Sequence, residues 1–200
     1  MKIDNSIYVF DNFVSKAKQT FYYSYIVKSF FQIGWEDIEE FDKRGYPCLY
    51  SSYTKQDVDK LELIPNLIKH AKKTSFKNII CEDNYHKCMI NLSKPSDPNF
   101  THCHPDEVVC LYYANLNWHP NFAGETLFYS EDQKNIRYGS IYTPNRLVIF
   151  DGEIPHTIRA QNITGPNYRF SISIFFKKNA RSSFCKRVFR RSDNNKTETL

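Results

Sequence analysis

The chain has 200 residues, of which 41% are hydrophobic, enough to close one ordinary core, and the expectation is a single domain rather than a multidomain assembly. The formal net charge is +5, and the excess lies in 177–200, where Lys177, Lys178, Arg181, Lys186, Arg187, Arg190 and Arg191 fall and the remainder is close to neutral. Six cysteines without a CxxC spacing, no run of 18 apolar residues and an N-terminus MKIDNSIYVF exclude a disulfide scaffold, a membrane-spanning helix and a secretory leader, so a cytoplasmic chain with reduced thiols is expected.

Taken in chain order, 7–10 reads as a short strand, and Ser15 reads as the N-cap of a helix bearing Phe21, Tyr22, Tyr25, Ile26, Ser29 and Phe30 at the spacing of one helical face. A second helix is expected over 55–72, with Val58, Leu61, Ile64, Leu67 and Ile68 as its stripe and a break or a fresh start near Pro65. From about Tyr85 the pattern turns to short β-type runs at 86–92, 108–116, 125–129, 140–142, 147–150, 156–159 and 168–176, with Asn, Pro, Asp and Gly between them. The density of Phe and Tyr, 16 and 14 against 6 Gly, suits the same β-rich reading. Many short strands without alternating helices predict an antiparallel sandwich or barrel with the N-terminal helices on one outer face. The polar, basic stretch 181–200 reads as a partly disordered tail, which leaves nucleic acid open as a partner.

The densest cluster of metal-ligand side chains is Thr101-His102-Cys103-His104-Pro105-Asp106-Glu107. On extended backbone, residues two apart share a face, so His104 and Asp106 are expected to point together. Downstream, His119 sits in a Trp118-His119-Pro120-Asn121 turn, whereas His156 follows an apolar strand and begins the next one, which makes it the expected third ligand. Two imidazoles and one carboxylate on one face of a metal form the triad of non-haem iron(II) oxygenases. His102 with Cys103 and His104 also suggests zinc, but no second Cys or His pair stands at zinc-finger spacing, and His102 is read as facing substrate or supporting the ligands. His70 and His86 are read as structural, and Arg146 as a turn charge. In 168–176, Phe170, Ile172, Ile174 and Phe176 share one face, and Arg169, Ser171 and Ser173 the other. A buried guanidinium needs an anionic partner, and a bidentate carboxylate suits it best.

HPD at 104–106, PHTI at 155–158 and YRFS at 168–171 resemble the HxD…H…RxS pattern of the iron(II)/2-oxoglutarate dioxygenases, and the text between them is similar to the prolyl 4-hydroxylase group. Cys110-Leu111-Tyr112-Tyr113-Ala114-Asn115 resembles that group's C-x-Y-Y-x-N strand, while Ala123-Gly124 stands where the group has a Gly-Gly pair. Over residues 85–178 the resemblance implies an α+β, mainly β fold, a double-stranded β-helix (jelly roll, cupin-like), with 1–180 as one dioxygenase domain. It implies iron(II) on His104, Asp106 and His156 as the catalytic centre. It implies 2-oxoglutarate with its distal carboxylate on Arg169, Ser171 and Tyr113, with O2 as oxidant and ascorbate as a candidate reductant. Hydroxylation of a prolyl or other residue of a peptide or protein is the implied activity. Arg169 replaces the lysine of collagen-type enzymes, so the target residue stays open. A small-molecule oxygenase of the same fold is the alternative, and a non-catalytic jelly-roll binding protein is a third reading against which the intact His104, Asp106, His156 and Arg169 set weighs. The loops 41–54 and 117–123 are expected to shape the substrate pocket.

Overall fold

Side-chain alternation on the last strand, β10 (Arg169–Lys177), shows how the molecule is organised. Phe170, Ile172, Ile174 and Phe176 enter one core and Phe175 enters another, on the face that also carries Arg169, Ser171 and Ser173. The computed structural model describes residues 1–34 and 48–178; part of the expected pocket loop, 41–47, and the basic tail, 181–200, lie outside the described residues.

β10 lies at the middle of a seven-stranded antiparallel sheet. The order is β1 (Ile7–Phe10), β8 (Leu147–Asp151), β5 (Glu107–Tyr113), β10, β4 (Tyr85–Ser93), β3 (Leu49–Tyr53), β2 (Gln32–Ile33). A smaller antiparallel sheet has the order β7 (Ile136–Ser140), β6 (Thr126–Tyr129), β9 (His156–Ile158). One core forms where the outer face of the large sheet, including Ile90, Cys110, Tyr112, Ile172 and Ile174, meets the N-terminal helices. The other joins Met89, Val109, Leu111, Tyr113, Val148 and Phe150 to Phe128 of the small sheet. This is the double-stranded β-helix arrangement, with the helices on one outer face. No helix among the described residues is long and apolar enough to cross a membrane.

Helix α1 (Lys16–Ile26) starts where expected: the Ser15 hydroxyl accepts from the Lys18 amide at 3.3 Å, satisfying one of the first-turn donors. It ends earlier than the aromatic stripe suggested. Gln19, Tyr22 and Ile26 are its buried positions, and Phe30, beyond its end, is 95% exposed. The single expected helix over 55–72 is two, α2 (Lys55–Lys60) and α3 (Leu63–Ala71), with Glu62 between them in left-handed backbone at φ 50°. Pro65 falls in the first turn of α3, where its missing N–H has no intrahelical acceptor to lose. Val58, Leu61, Leu63, Ile64 and Leu67 are all fully buried against the large sheet. Leu67→Ala is therefore expected to cost about 2–5 kcal/mol in denaturant unfolding, because the rigid sheet cannot collapse into the void.

Two strands differ from the sequence reading. β3 occupies part of the stretch taken as loop, since Leu49–Tyr53, with two β-forming tyrosines, pairs along its whole length with β4. β7 runs over 136–140 rather than 140–142, which leaves Tyr142 to turn its ring inward.

Candidate metal centre

Residues 102–104 run beside β9, and His102 and His156 exchange both backbone hydrogen bonds at 3.0 Å, a reciprocal antiparallel bridge. Directly opposed residues project to the same face, so these two rings meet with centroids 4.5 Å apart. His104, two residues on along extended backbone, joins them, 4.9 Å from the His102 ring and 5.2 Å from the His156 ring. His102, His104 and His156 offer ligand atoms that all lie within 4.8 Å of one another, the group among the described residues able to hold a metal ion.

Asp106 is not in this group. After His104 the chain turns at Pro105-Asp106, and Asp106 adopts left-handed backbone at φ 62°, so the rule that residues two apart share a face stops applying at the proline. The turn is pinned from both sides: the Asp106 amide donates to the Glu153 carboxylate at 2.8 Å, and its carbonyl accepts from the Lys178 amide at 2.8 Å. Its side chain is exposed. The sequence reading paired His104 with Asp106 on one face, whereas the side chains that lie together in the structure are His102, His104 and His156.

The tautomers suit ligation. Nδ1 of His156 meets the Ile154 carbonyl at 2.8 Å, and Nδ1 of His102 meets the Phe100 carbonyl at 2.9 Å. A carbonyl partner places the proton on Nδ1 and leaves the lone pair on Nε2. Burial, and secondarily neighbouring His102, push the His156 imidazole down to about 3; burial, then His102 and His156, also holds His104 well below its ordinary value. Both rings are neutral at pH 7 for that reason, as a ligand must be. Phe175 packs edge-on to His104 at 4.8 Å and Phe150 to His156 at 4.7 Å, an aromatic wall that keeps the rings from rotating.

Gly152 makes the arrangement sterically possible. Its amide donates to the Glu107 carbonyl at 2.9 Å, and its carbonyl accepts from the His104 amide at 2.7 Å. A Cβ there would meet the His104 carbonyl oxygen at 2.4 Å and that of Glu107 at 2.7 Å. Gly152→Ala is expected to cost about 1–3 kcal/mol of stability through overpacking and to weaken metal binding by displacing His104, measurable by thermal melts and metal titration.

The cavity beside the three imidazoles is lined by Met89, Leu111, Thr126, Ile158, Ser171 and Ser173, among others. Arg169 shares the face of β10 that carries Ser171 and Ser173, and it is fully buried. Its Nε donates to the Gly124 carbonyl at 3.0 Å, and its guanidinium carbon lies 4.6 Å from the Tyr142 ring and 5.5 Å from that of Tyr113. Among the described residues neither Nη atom has a partner, and the Ser171 hydroxyl is likewise buried without one. Burial depresses the Arg169 guanidinium, opposed by Tyr142, Tyr113 and Glu125, but an arginine so far above neutrality stays charged. Tyr113 is fully buried; its hydroxyl lies 2.9 Å from the Thr126 hydroxyl and 3.3 Å from the Ser140 carbonyl, to which it can donate. Sequence reasoning noted Gly124 but not its contact with Arg169, where a φ of +85° and an approach of 3.2 Å to Arg169 and Trp118 would strain any side chain, and it missed the Tyr142 ring beneath the guanidinium.

Other singled-out residues lie elsewhere. Arg146 pairs with Asp11, and His119 Nδ1 accepts from the Asn121 amide in its turn. His70 packs between Phe10 and Phe13. Of the expected pocket loops, Cys48 and Tyr50 line the cavity, whereas none of 117–123 does among the described residues.

No family model and no curated protein matches the chain by sequence. Solved structures do match. A Pseudomonas putida prolyl-4-hydroxylase aligns at TM-score 0.62 and 14% identity over 88% of this chain and 94% of its own. A Trichoplax adhaerens prolyl hydroxylase, solved in complex with a hypoxia inducible factor oxygen degradation domain peptide fragment, aligns at 0.61 and 17% over 87% and 84%. HygX from Streptomyces hygroscopicus, with nickel and 2-oxoglutarate bound, aligns at 0.61 and 7% over 88% and 85%. The strand order, the outer helices and these matches together give the chain the double-stranded β-helix fold of the prolyl hydroxylases and other 2-oxoglutarate/iron(II) oxygenases.

Proposed function

We propose that the chain is an iron(II)- and 2-oxoglutarate-dependent oxygenase whose metal is held by His102, His104 and His156, with Asp106 outside the ligand set. The observation that carries the reading is the buried Arg169, charged and with both Nη atoms unpartnered among the described residues, on the strand face whose Ser171 and Ser173 line the cavity beside three converging imidazoles. Uncompensated buried charge is costly, so the site is built for an anion. A planar fork accepts a carboxylate in bidentate fashion, and the orphaned Ser171 hydroxyl adds a third donor. A 2-oxo dicarboxylate satisfies both ends, chelating a metal with one and meeting Arg169 with the other.

Three imidazoles fit a divalent first-row metal and leave coordination positions for cosubstrate and oxygen. Iron(II), when bound with 2-oxoglutarate and O2, supplies the oxidising chemistry that yields succinate and carbon dioxide and oxidises a substrate C–H bond. The chain's own residues orient and exclude. Phe150 and Phe175 hold the imidazoles, Arg169 sets the dicarboxylate's angle, and the apolar walls from Met89, Leu111 and Ile158 keep bulk water from the reacting atoms.

For the substrate we favour a prolyl or other residue of a peptide or protein, supported by the prolyl hydroxylases among the structures that share the fold, one of them solved with a peptide. The small-molecule alternative draws support from the epimerase SnoN of nogalamycin biosynthesis, which shares the fold at TM-score 0.61. Anaerobic titration with iron(II) and then 2-oxoglutarate is expected to develop a metal-to-ligand charge-transfer band. A peptide panel read by mass spectrometry for added oxygen then separates the two substrate classes. Absence of the band would overturn the assignment.

A further inference from the structure

Arg169 stands just beyond the last register pair between β10 and β5, in which Ser171 opposes Tyr113. Arg169 still pairs with Ser93 of β4, but on the β5 side the final ladder bond runs from the Ala114 amide to the Phe170 carbonyl at 3.1 Å, and β5 offers no register pair beyond Tyr113. Side chains take over there. Asn115 Nδ2 donates to the Tyr168 carbonyl at 2.9 Å, and Asn115 Oδ1 accepts from the Phe170 amide at 2.8 Å. The Tyr142 hydroxyl lies 2.7 Å from Asn115 Oδ1 and 2.5 Å from the Phe170 carbonyl, either of which takes its proton, and it accepts from the Asn115 amide at 3.1 Å. Asn115 is 5% exposed and Tyr142 2%, so these bonds form away from water, where losing one is costly.

The same Tyr142 presents its ring to the guanidinium at 4.6 Å, while Gly124 takes Nε. The peptide groups before and after Arg169, the plane of its guanidinium and its Nε edge are thus each engaged. The two Nη atoms alone are left for a ligand.

We propose that Asn115 and Tyr142 are positioning residues that brace Arg169 so that its fork meets the distal carboxylate of the cosubstrate in a fixed orientation. This rests on the reading above, in which a metal-chelating dicarboxylate pairs with Arg169. Bidentate pairing depends on angle as well as distance, so a brace acts on affinity for the dicarboxylate and leaves affinity for the metal alone untouched. A purely structural role for the pair would lower both together.

Tyr142→Phe keeps the ring and removes the hydroxyl, and Asn115→Ser shortens the other arm of the brace. Calorimetry of 2-oxoglutarate binding to the Mn(II)-loaded protein is expected to show affinity about tenfold weaker for Tyr142→Phe, the measure of one buried hydrogen bond, with Mn(II) affinity unchanged. In an Arg169→Met background, Tyr142→Phe is expected to add nothing, since the group it positions is gone. Unchanged 2-oxoglutarate affinity in both brace variants, or an equal loss of Mn(II) affinity, would overturn the brace. If the unmodified protein binds Mn(II) but no 2-oxoglutarate, the proposed function falls by itself. The brace is then judged by exchange of the Arg169 Nε–H in NMR spectra, expected about tenfold faster in Tyr142→Phe and, if unaltered, fatal to it.

Discussion

Replacing His102 with alanine is expected to lower iron(II) affinity by at least about 100-fold and abolish succinate formation, because loss of a ligand exceeds the 10–100-fold that loss of a supporting hydrogen bond to a ligand costs. The paired variant, Asp106→Asn, is expected to keep both affinity and turnover within about twofold, as an exposed substitution outside the ligand cluster should. Asparagine is chosen since Asp106 sits at φ 62°, a conformation it tolerates and alanine does not. The opposite pattern, with His102→Ala bound and active and Asp106→Asn dead, would restore the carboxylate as the ligand and remove the three-histidine centre. Metal titration of the two proteins side by side decides it.

Arg169→Met is expected to separate cosubstrate binding from metal binding. Affinity for 2-oxoglutarate should fall at least about 100-fold, roughly 3 kcal/mol, while metal affinity stays put. In the absence of ligand the variant is expected to melt no lower than the parent, since removing an unpartnered buried charge offsets the loss of the Nε bond to Gly124 and the ring contacts. Saturating 2-oxoglutarate should then raise the melting temperature of the metal-loaded parent, by about 2.7 kcal/mol of linkage at a hundredfold excess over Kd, and leave the variant unmoved. A variant that melts far below the parent without ligand would show that Arg169 holds the fold rather than the cosubstrate.

Much of this was legible from local pattern. The alternation of Phe170, Ile172, Ile174 and Phe176 against Arg169, Ser171 and Ser173 put the arginine in the interior because successive strand residues face opposite ways, whatever surrounds them. In the structure the same alternation puts Tyr112 toward the helices and Tyr113 toward the arginine. Ser15 capped its helix as such residues do, since the satisfied amide lies three residues away. What local pattern did not carry were features set by partners distant in sequence. β3 is a strand because β4 offers it a ladder, and the helix expected over 55–72 splits at Glu62 so that two short apolar faces, rather than one long one, fit the sheet.

The metal centre divides along the same line. By itself the sequence pointed to a histidine-rich segment, a later strand-borne histidine and an interior arginine, and it paired His104 with Asp106 on one face. Which side chains lie together was decided by the tertiary structure. The reciprocal bridge between His102 and His156 sets the register, and the left-handed turn at Asp106, held by Glu153 and Lys178, carries the carboxylate outward. Ligand convergence depends on how two segments far apart in the chain are paired, and a one-residue or two-residue shift in that pairing changes which donors meet.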